Sequence, residues 1–216
     1  MLTELAREQM VQQQVRAWDV LDERVLETFR RVPRERFVPQ ECRYLAFADV
    51  EVPLPGGQHM LRPNVVGRLL QSVELTGTEH VLEIGAGSGF VTACLAHGAR
   101  HVRSLEIVPE MVELSRANLA AVDVRNVEVV AADACSLTAE TRYDAIAVTA
   151  SLPAYDERFQ RALAVGGRLF AVVGEAPVME ACLVRRVSED AWSRENLFET
   201  VIDSLINAVR PRVFTF

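Results

Sequence analysis

The segment that most restricts the fold is the apolar run His80-Val81-Leu82-Glu83-Ile84, followed at once by Gly85-Ala86-Gly87-Ser88-Gly89 and the helical stretch Phe90 to His97. A strand that ends in such a glycine run and turns into a helix bends sharply, with its backbone open to a group that comes close. The first N–H groups of that helix have no partner within it and can receive polar ligand atoms. One strand also demands others. Strand-like runs recur at Val102–Ile107, Val127–Ala131, Tyr143–Thr149 and Arg168–Val173, with a helical segment from Pro109 to Ala121 between the first two. Pro63 can open a further helix, whose Val65, Val66, Leu69, Leu70 and Val73 share one stripe. This alternation predicts an α/β fold with a mostly parallel sheet and helices on both faces.

Ahead of this core, residues 3–17 carry Leu5, Met10, Val11 and Val15 near helical spacing, and a second helix is expected from Asp22 as N-cap to Arg31. Pro33 and Pro39 break the chain on either side of RERFV, and residues 44–63 hold three prolines, two glycines and no clear period. The chain thus divides into a helical cap and loop over residues 1–62 and a core over residues 63–216, joined as one compact unit. Leu183-Val184, Leu197-Phe198 and Val213-Phe214 read as closing antiparallel strands.

The formal charge of −7 argues against nucleic acid as a partner, because such proteins present a basic face. The basic cluster Arg30, Arg31, Arg34 and Arg36 reads as a solvated helix end. No apolar run approaches the ~18–20 residues of a membrane span. The polar N-terminus lacks the apolar region of a signal peptide, so a cytoplasmic protein is expected. Cys42, Cys94, Cys135 and Cys182 form no CxxC pair, which leaves buried free thiols and no metal site as the expectation.

The ligand is read from three acids at strand ends. Glu106 closes the second strand, where a carboxylate can accept both ribose hydroxyls of a nucleoside, with Ile107 beside it. Asp133, followed by Ala134, ends the third; it either caps the next helix or takes the amino group of an adenine. The loop itself has the form GxGxG, not the GxGxxG of dinucleotide sites, and Glu83 precedes it. A carboxylate there disfavours a diphosphate and suits an ammonium group, such as the methionine end of S-adenosylmethionine, unless it pairs within the sheet.

VLEIGAGSGF resembles the first signature of class I S-adenosylmethionine-dependent methyltransferases, which have a Rossmann-like fold. More specifically, MVQQQV, RVPRERFVP, YLAFAD at Tyr44–Asp49, VPLPGGQ, YDAIAVTAS and VGGRLFAVVG resemble protein-L-isoaspartate O-methyltransferases, in that family's order. The resemblance implies a cofactor, S-adenosyl-L-methionine, held by Gln58, His59, Met60, Glu83, Gly85, Ala86, Gly87, Ser88, Gly89, Glu106, Ile107, Asp133, Ala134 and Thr149. It implies methylation of a carboxylate on a peptide or protein.

Two departures bear on the acceptor. Where the family usually reads Gly-Gln-Thr-Ile-Ser-Gln-Pro, this chain reads Gly57-Gln58-His59-Met60-Leu61-Arg62-Pro63, so Leu61 occupies the place of the active-site serine. Where the family closes on Phe-x-Pro-Leu, the nearest string is Val201-Ile202-Asp203-Ser204-Leu205. A guanidinium at Arg62 can grip a carboxylate in the serine's stead, or pair with an acid. Ser151 can offer a hydroxyl near the methyl group or cap the next helix. His59 either reaches the pocket or is structural. Other small-molecule or peptide acceptors, and a cofactor-binding protein that acts through a partner, stay open alternatives.

Overall fold

In the computed structural model, residues 2–138 and 141–210 are described. Helix α1 (Leu2–Met10) runs on through a π turn, Val11–Val15, and a 3-10 turn, Arg16–Trp18. Helix α2 (Glu23–Arg31) starts where Asp22 accepts the Arg24 N–H through its side chain at 2.9 Å, as its N-cap reading predicts. Two 3-10 turns, Arg34–Arg36 and Gln40–Leu45, lead to a short antiparallel pair, β1 (Val52–Pro53) and β2 (His59–Met60), in a stretch whose sequence shows no period. Then follow α3 (Pro63–Val73), β3 (His80–Ile84), α4 (Phe90–Gly98), β4 (His101–Glu106), α5 (Pro109–Ala121) and β5 (Val127–Ala131). The chain continues through β6 (Tyr143–Leu152), α6 (Glu157–Arg161), β7 (Leu163–Glu175), β8 (Val178–Ser188) and β9 (Ala191–Thr200).

The main sheet has the order β5-β4-β3-β6-β7-β8-β9. Strands β3 to β7 pair parallel, and β8 and β9 pair antiparallel at one edge. The expected closing strands at Leu183-Val184 and Leu197-Phe198 are β8 and β9; Val213-Phe214 lie outside the described residues. The chain winds from β3 outward to β5 and then crosses back to β6 on the other side of β3. Ligands bind in such sheets at the carboxyl ends of the strands, at this reversal.

Side chains alternate across the central strands. Val81, Ala145 and Ala147 enter one core with Met10, Leu26, Phe29, Leu69, Leu95 and Met111, while Leu82, Ile84, Ile146 and Val148 enter the other. Helices α1 to α5 thus feed the first core, and the second is closed by Phe159 of α6, Trp192 of β9 and the tail residues Leu205 and Ala208. Both faces are covered, but unequally. The π turn answers to close packing: a Cβ on Gly67 of α3 would stand 2.8 Å from Val15 and 3.0 Å from Val20. Val15, at the end of the turn, is buried with Met10 and Val11.

Two expectations from composition need revision. Cys94 and Cys182 are buried free thiols, whereas Cys42 and Cys135 are half-buried. The basic cluster is not simply a solvated helix end: Arg30 and Arg31 pair with Glu8, Glu23 and Glu27, and Arg34 is wholly buried. The Arg34 guanidinium donates to Ala46 O and Leu61 O, both at 3.0 Å, and lies 4.7 Å over the Phe90 ring.

Candidate cofactor and acceptor site

Strand β3 delivers the chain to Gly85, whose φ of +94° belongs to the left-handed side that glycine adopts freely. Close approach excludes a side chain as well, since a Cβ there would stand 2.6 Å from Thr149 Oγ1. That hydroxyl, on neighbouring β6, donates to Ile84 O at 2.9 Å and Gly85 O at 2.8 Å. The loop is therefore tied to two strands before any ligand arrives.

Glu106, buried at the end of β4, accepts from Gly87 N through Oε2 and from Val108 N through Oε1, each at 2.9 Å. Each carboxylate oxygen has a second lone-pair site, so both can still take a hydroxyl. Asp133 takes the capping option of its two readings: Oδ1 accepts from Cys135 N at 2.8 Å, and Oδ2 accepts from Asn207 Nδ2 at 2.9 Å. The Asn207 amide and the Cys135 N–H hold its carboxyl below the ordinary range against the opposing effect of burial.

These groups border a cavity at the reversal between β3 and β6, where open α/β sheets bind their ligands. Its sheet wall includes Gly85, Gly87, Glu106, Ile107, Asp133, Ala134 and Thr149, and its loop wall Gln58, His59 and Leu61. Met60, Ala86 and Ser88 line an adjoining recess with Leu61, Gly85 and Thr149. Twelve of the expected cofactor residues thus meet around one space.

Four expected site residues do not. Glu83 lies beneath the loop, 0% exposed, with Oε2 accepting from Thr92 Oγ1 and Ser104 Oγ at 2.5 Å each. Its Oε1 has no partner among the described residues, and burial, aided by the nearby Glu106 charge, pushes its carboxyl up to about 8. Gly89 caps α4 behind the cavity. Arg62 turns its guanidinium to Glu51, 3.6 Å away, the acid-pairing option of its readings, and lines neither space. Ser151 caps no helix; it sits fully buried inside β6, and Asp156 caps α6 instead.

The C-terminal segment is the part of the site that reading along the chain missed. Ser151 N donates to Asp203 O at 2.7 Å and Leu205 N donates to Ser151 O at 2.8 Å, which lays this segment along β6. Ile202, Asp203, Leu205 and Ile206 then close the cavity, and Asp203 Oδ2 meets His59 Nδ1 at 2.9 Å. Glu51, Leu54 and Met111 complete the wall. The one signal available for this segment was its departure from the Phe-x-Pro-Leu string.

Comparison with known proteins gives a consistent answer. A protein-L-isoaspartate O-methyltransferase from Rhodopseudomonas palustris is 36% identical over 201 residues, 92% of either chain. Protein-L-isoaspartate O-methyltransferase 2 from Pelobacter propionicus is 38% identical over 196 residues, covering 90% of this chain and 87% of the relative. Among solved structures, a candidate protein-L-isoaspartate O-methyltransferase from Plasmodium falciparum, in complex with S-adenosyl-L-homocysteine, shares the fold with a TM-score of 0.78. That likeness covers 92% of this chain and 97% of the other at 20% identity. The family model described as protein-L-isoaspartate(D-aspartate) O-methyltransferase matches residues 5–204, and the chain belongs to that family.

Proposed function

We propose that this protein transfers the methyl group of S-adenosyl-L-methionine to the free carboxylate of an isoaspartyl residue in a peptide or protein. The observation that carries the reading is the cavity at the strand reversal, with the Gly85–Gly89 loop and the Glu106 carboxylate on its wall, in a chain of this family. The residues fit that cofactor. Glu106 offers lone pairs for ribose hydroxyls, Asp133 and Ala134 border the place for an adenine edge, and Gly85 leaves room that a Cβ would fill. Gln58, Met60 and Ser88 flank the methionyl end. Bound there, the cofactor supplies a methyl group on a sulfonium, activated for in-line displacement.

An acceptor carboxylate is ionised at neutral pH and needs no base to attack. The protein's work is therefore to hold it in line, exclude water and offset its charge. Leu61 contributes an apolar wall, buried to 7% exposure, and no hydroxyl. Ile202 and Leu205 of the C-terminal segment add apolar side chains to the wall of the same cavity.

A second reading rests on the absent serine and the acidic cavity wall, which favour a neutral or cationic acceptor. Incubation with methyl-labelled cofactor and an isoaspartyl peptide separates the two, with the aspartyl peptide as control. Base-labile label on the isoaspartyl peptide alone is expected. Stable label on other acceptors and none on this peptide would overturn the carboxylate reading.

A further inference from the structure

We propose that His59, held by Asp203, recognises the acceptor carboxylate in place of the absent serine hydroxyl. This inference rests on the carboxylate reading above and assigns the group within that site that faces the acceptor. Its starting point is the charge on the cavity wall. Four carboxylates line it, Glu51 from the loop before β1, Glu106 from β4, Asp133 after β5 and Asp203 from the C-terminal segment. Such a wall suits a cationic cofactor and repels an anionic acceptor. The nearest guanidinium in sequence, Arg62, is turned to Glu51 and lines neither the cavity nor its recess. His59 is the one side chain of these walls, among the described residues, that can carry positive charge.

Its position is set from two sides. Strand β2 pairs His59 with Pro53 of β1, which fixes its backbone two positions from Leu61. Asp203 is fixed independently through the Ser151–Asp203 and Leu205–Ser151 backbone bonds along β6. Between them, His59 Nδ1 lies 2.9 Å from Asp203 Oδ2, and Nε2 has no hydrogen bond among the described residues. A carboxylate on one ring nitrogen selects the proton there and orients the ring, leaving the other nitrogen for a partner. His59 borders both the cavity and the recess that holds Leu61, Gly85 and Thr149, so its ring reaches either space.

The protonation state then decides recognition. An imidazolium donates from both nitrogens, Nδ1 to Asp203 and Nε2 to the acceptor oxygen. A neutral ring that keeps its Nδ1 proton on Asp203 presents a lone pair at Nε2, which repels a carboxylate. Recognition therefore belongs to the doubly protonated ring and weakens as rising pH removes that proton. Asp203 acts only through His59, as a positioning residue. A serine hydroxyl, by contrast, donates at any such pH.

The test has a binding arm and a turnover arm. Calorimetry measures an isoaspartyl peptide binding to protein saturated with S-adenosyl-L-homocysteine, at pH 6 and pH 8. Methyl transfer to the same peptide, with cofactor saturating, gives kcat and KM across that range. Expected for the parent is peptide affinity that falls with pH. Loss of a charge-assisted hydrogen bond in His59→Gln should weaken peptide binding about 10- to 100-fold at pH 6 and flatten the profile. In that variant KM carries the change, with cofactor or S-adenosyl-L-homocysteine raised to saturation for each protein separately. Asp203→Asn, which loses the contact that orients the ring, should also weaken peptide binding at pH 6, and Leu61→Ser added to His59→Gln should restore binding without pH dependence. Melting curves verify that each variant is folded. Turnover on the peptide with the same pH profile in parent and His59→Gln would overturn this inference and leave the carboxylate reading intact. Peptide binding that needs His59 but yields no methyl ester would support the inference and sink the reaction; no peptide binding at either pH would overturn both.

Discussion

Replacing Glu83 with glutamine should remove a pH dependence that the fold itself creates. The parent carboxyl is fully buried, pushed up to about 8 by burial foremost, and sits near the charge of Glu106, while the Thr92 and Ser104 hydroxyls only partly offset this. Its ordinary value of 4.5 applies in the unfolded chain. Between those two values the folded protein keeps a proton that the unfolded chain has released, so folding stability declines by about 1.4 kcal/mol for each pH unit. The contribution is fully favourable below the unfolded value, falls as pH rises, and levels off once the folded group also ionises. Across the whole window the loss is ~4–5 kcal/mol, a large share of the ~5–15 kcal/mol that holds a domain together. Glu83→Gln keeps the shape and leaves an oxygen for the two hydroxyls. Its amide places an unsatisfied N–H where Oε1 now has no partner, a pH-independent cost of ~1–3 kcal/mol. Urea unfolding of parent and variant at half-unit steps from pH 5 to 9 gives the difference in stability at each pH. That difference should swing toward the variant by several kcal/mol and then flatten above pH 8, whatever its constant offset. A difference independent of pH would refute the reasoning, for it would mean that the buried carboxyl titrates normally.

Arg34→Met relieves a buried charge but strands Ala46 O and Leu61 O, at ~1–3 kcal/mol each, and loses the contact with Phe90, so a melting temperature several degrees below the parent is expected in calorimetry. Arg34→Lys retains charge without the fork that spans both carbonyls, and should also melt below the parent. Gly85→Ala forces a left-handed residue and a methyl against Thr149 Oγ1, with a backbone penalty of ~1–2 kcal/mol before the clash is counted. Titration of S-adenosyl-L-homocysteine into that variant should show affinity at least tenfold weaker, and parent-like binding would contradict the close approach assigned to this glycine.

The framework of the fold was legible where one residue marks an element's end. Asp22 caps α2, Pro63 opens α3, and α5 spans Pro109 to Ala121, each as local chemistry predicts. The strand alternation likewise foretold the parallel sheet. Illegible were features decided across the fold. Val15, at the end of the π turn after Met10, meets Gly67 across the fold, and no local period encodes that contact. Ser151 read as a cap because a serine after an apolar run commonly is one, yet β6 extends through Leu152 and the Asp156-Glu157 pair starts the helix. Arg34 looked like one of four surface arginines, and only its neighbours Phe90, Ala46 and Leu61 reveal a core residue.

The sheet wall of the cavity was readable for the same reason: its residues follow the carboxyl ends of successive strands, so position along the chain predicts position in space. The loop side of the cavity is assembled differently. His59 and Asp203 stand 144 positions apart and meet only because β2 and the C-terminal segment converge over the strand reversal. Each lies in a string that departs from the family pattern, one at Gly57–Pro63 and the other at Val201–Leu205. Taken singly, either departure reads as decay of an active site. In the fold the two touch, and an isolated histidine or an isolated aspartate at that place would gain no partner. Contact between the two altered strings is what a replaced recognition element requires, whereas unrelated losses have no reason to meet at 2.9 Å on the wall of the cavity.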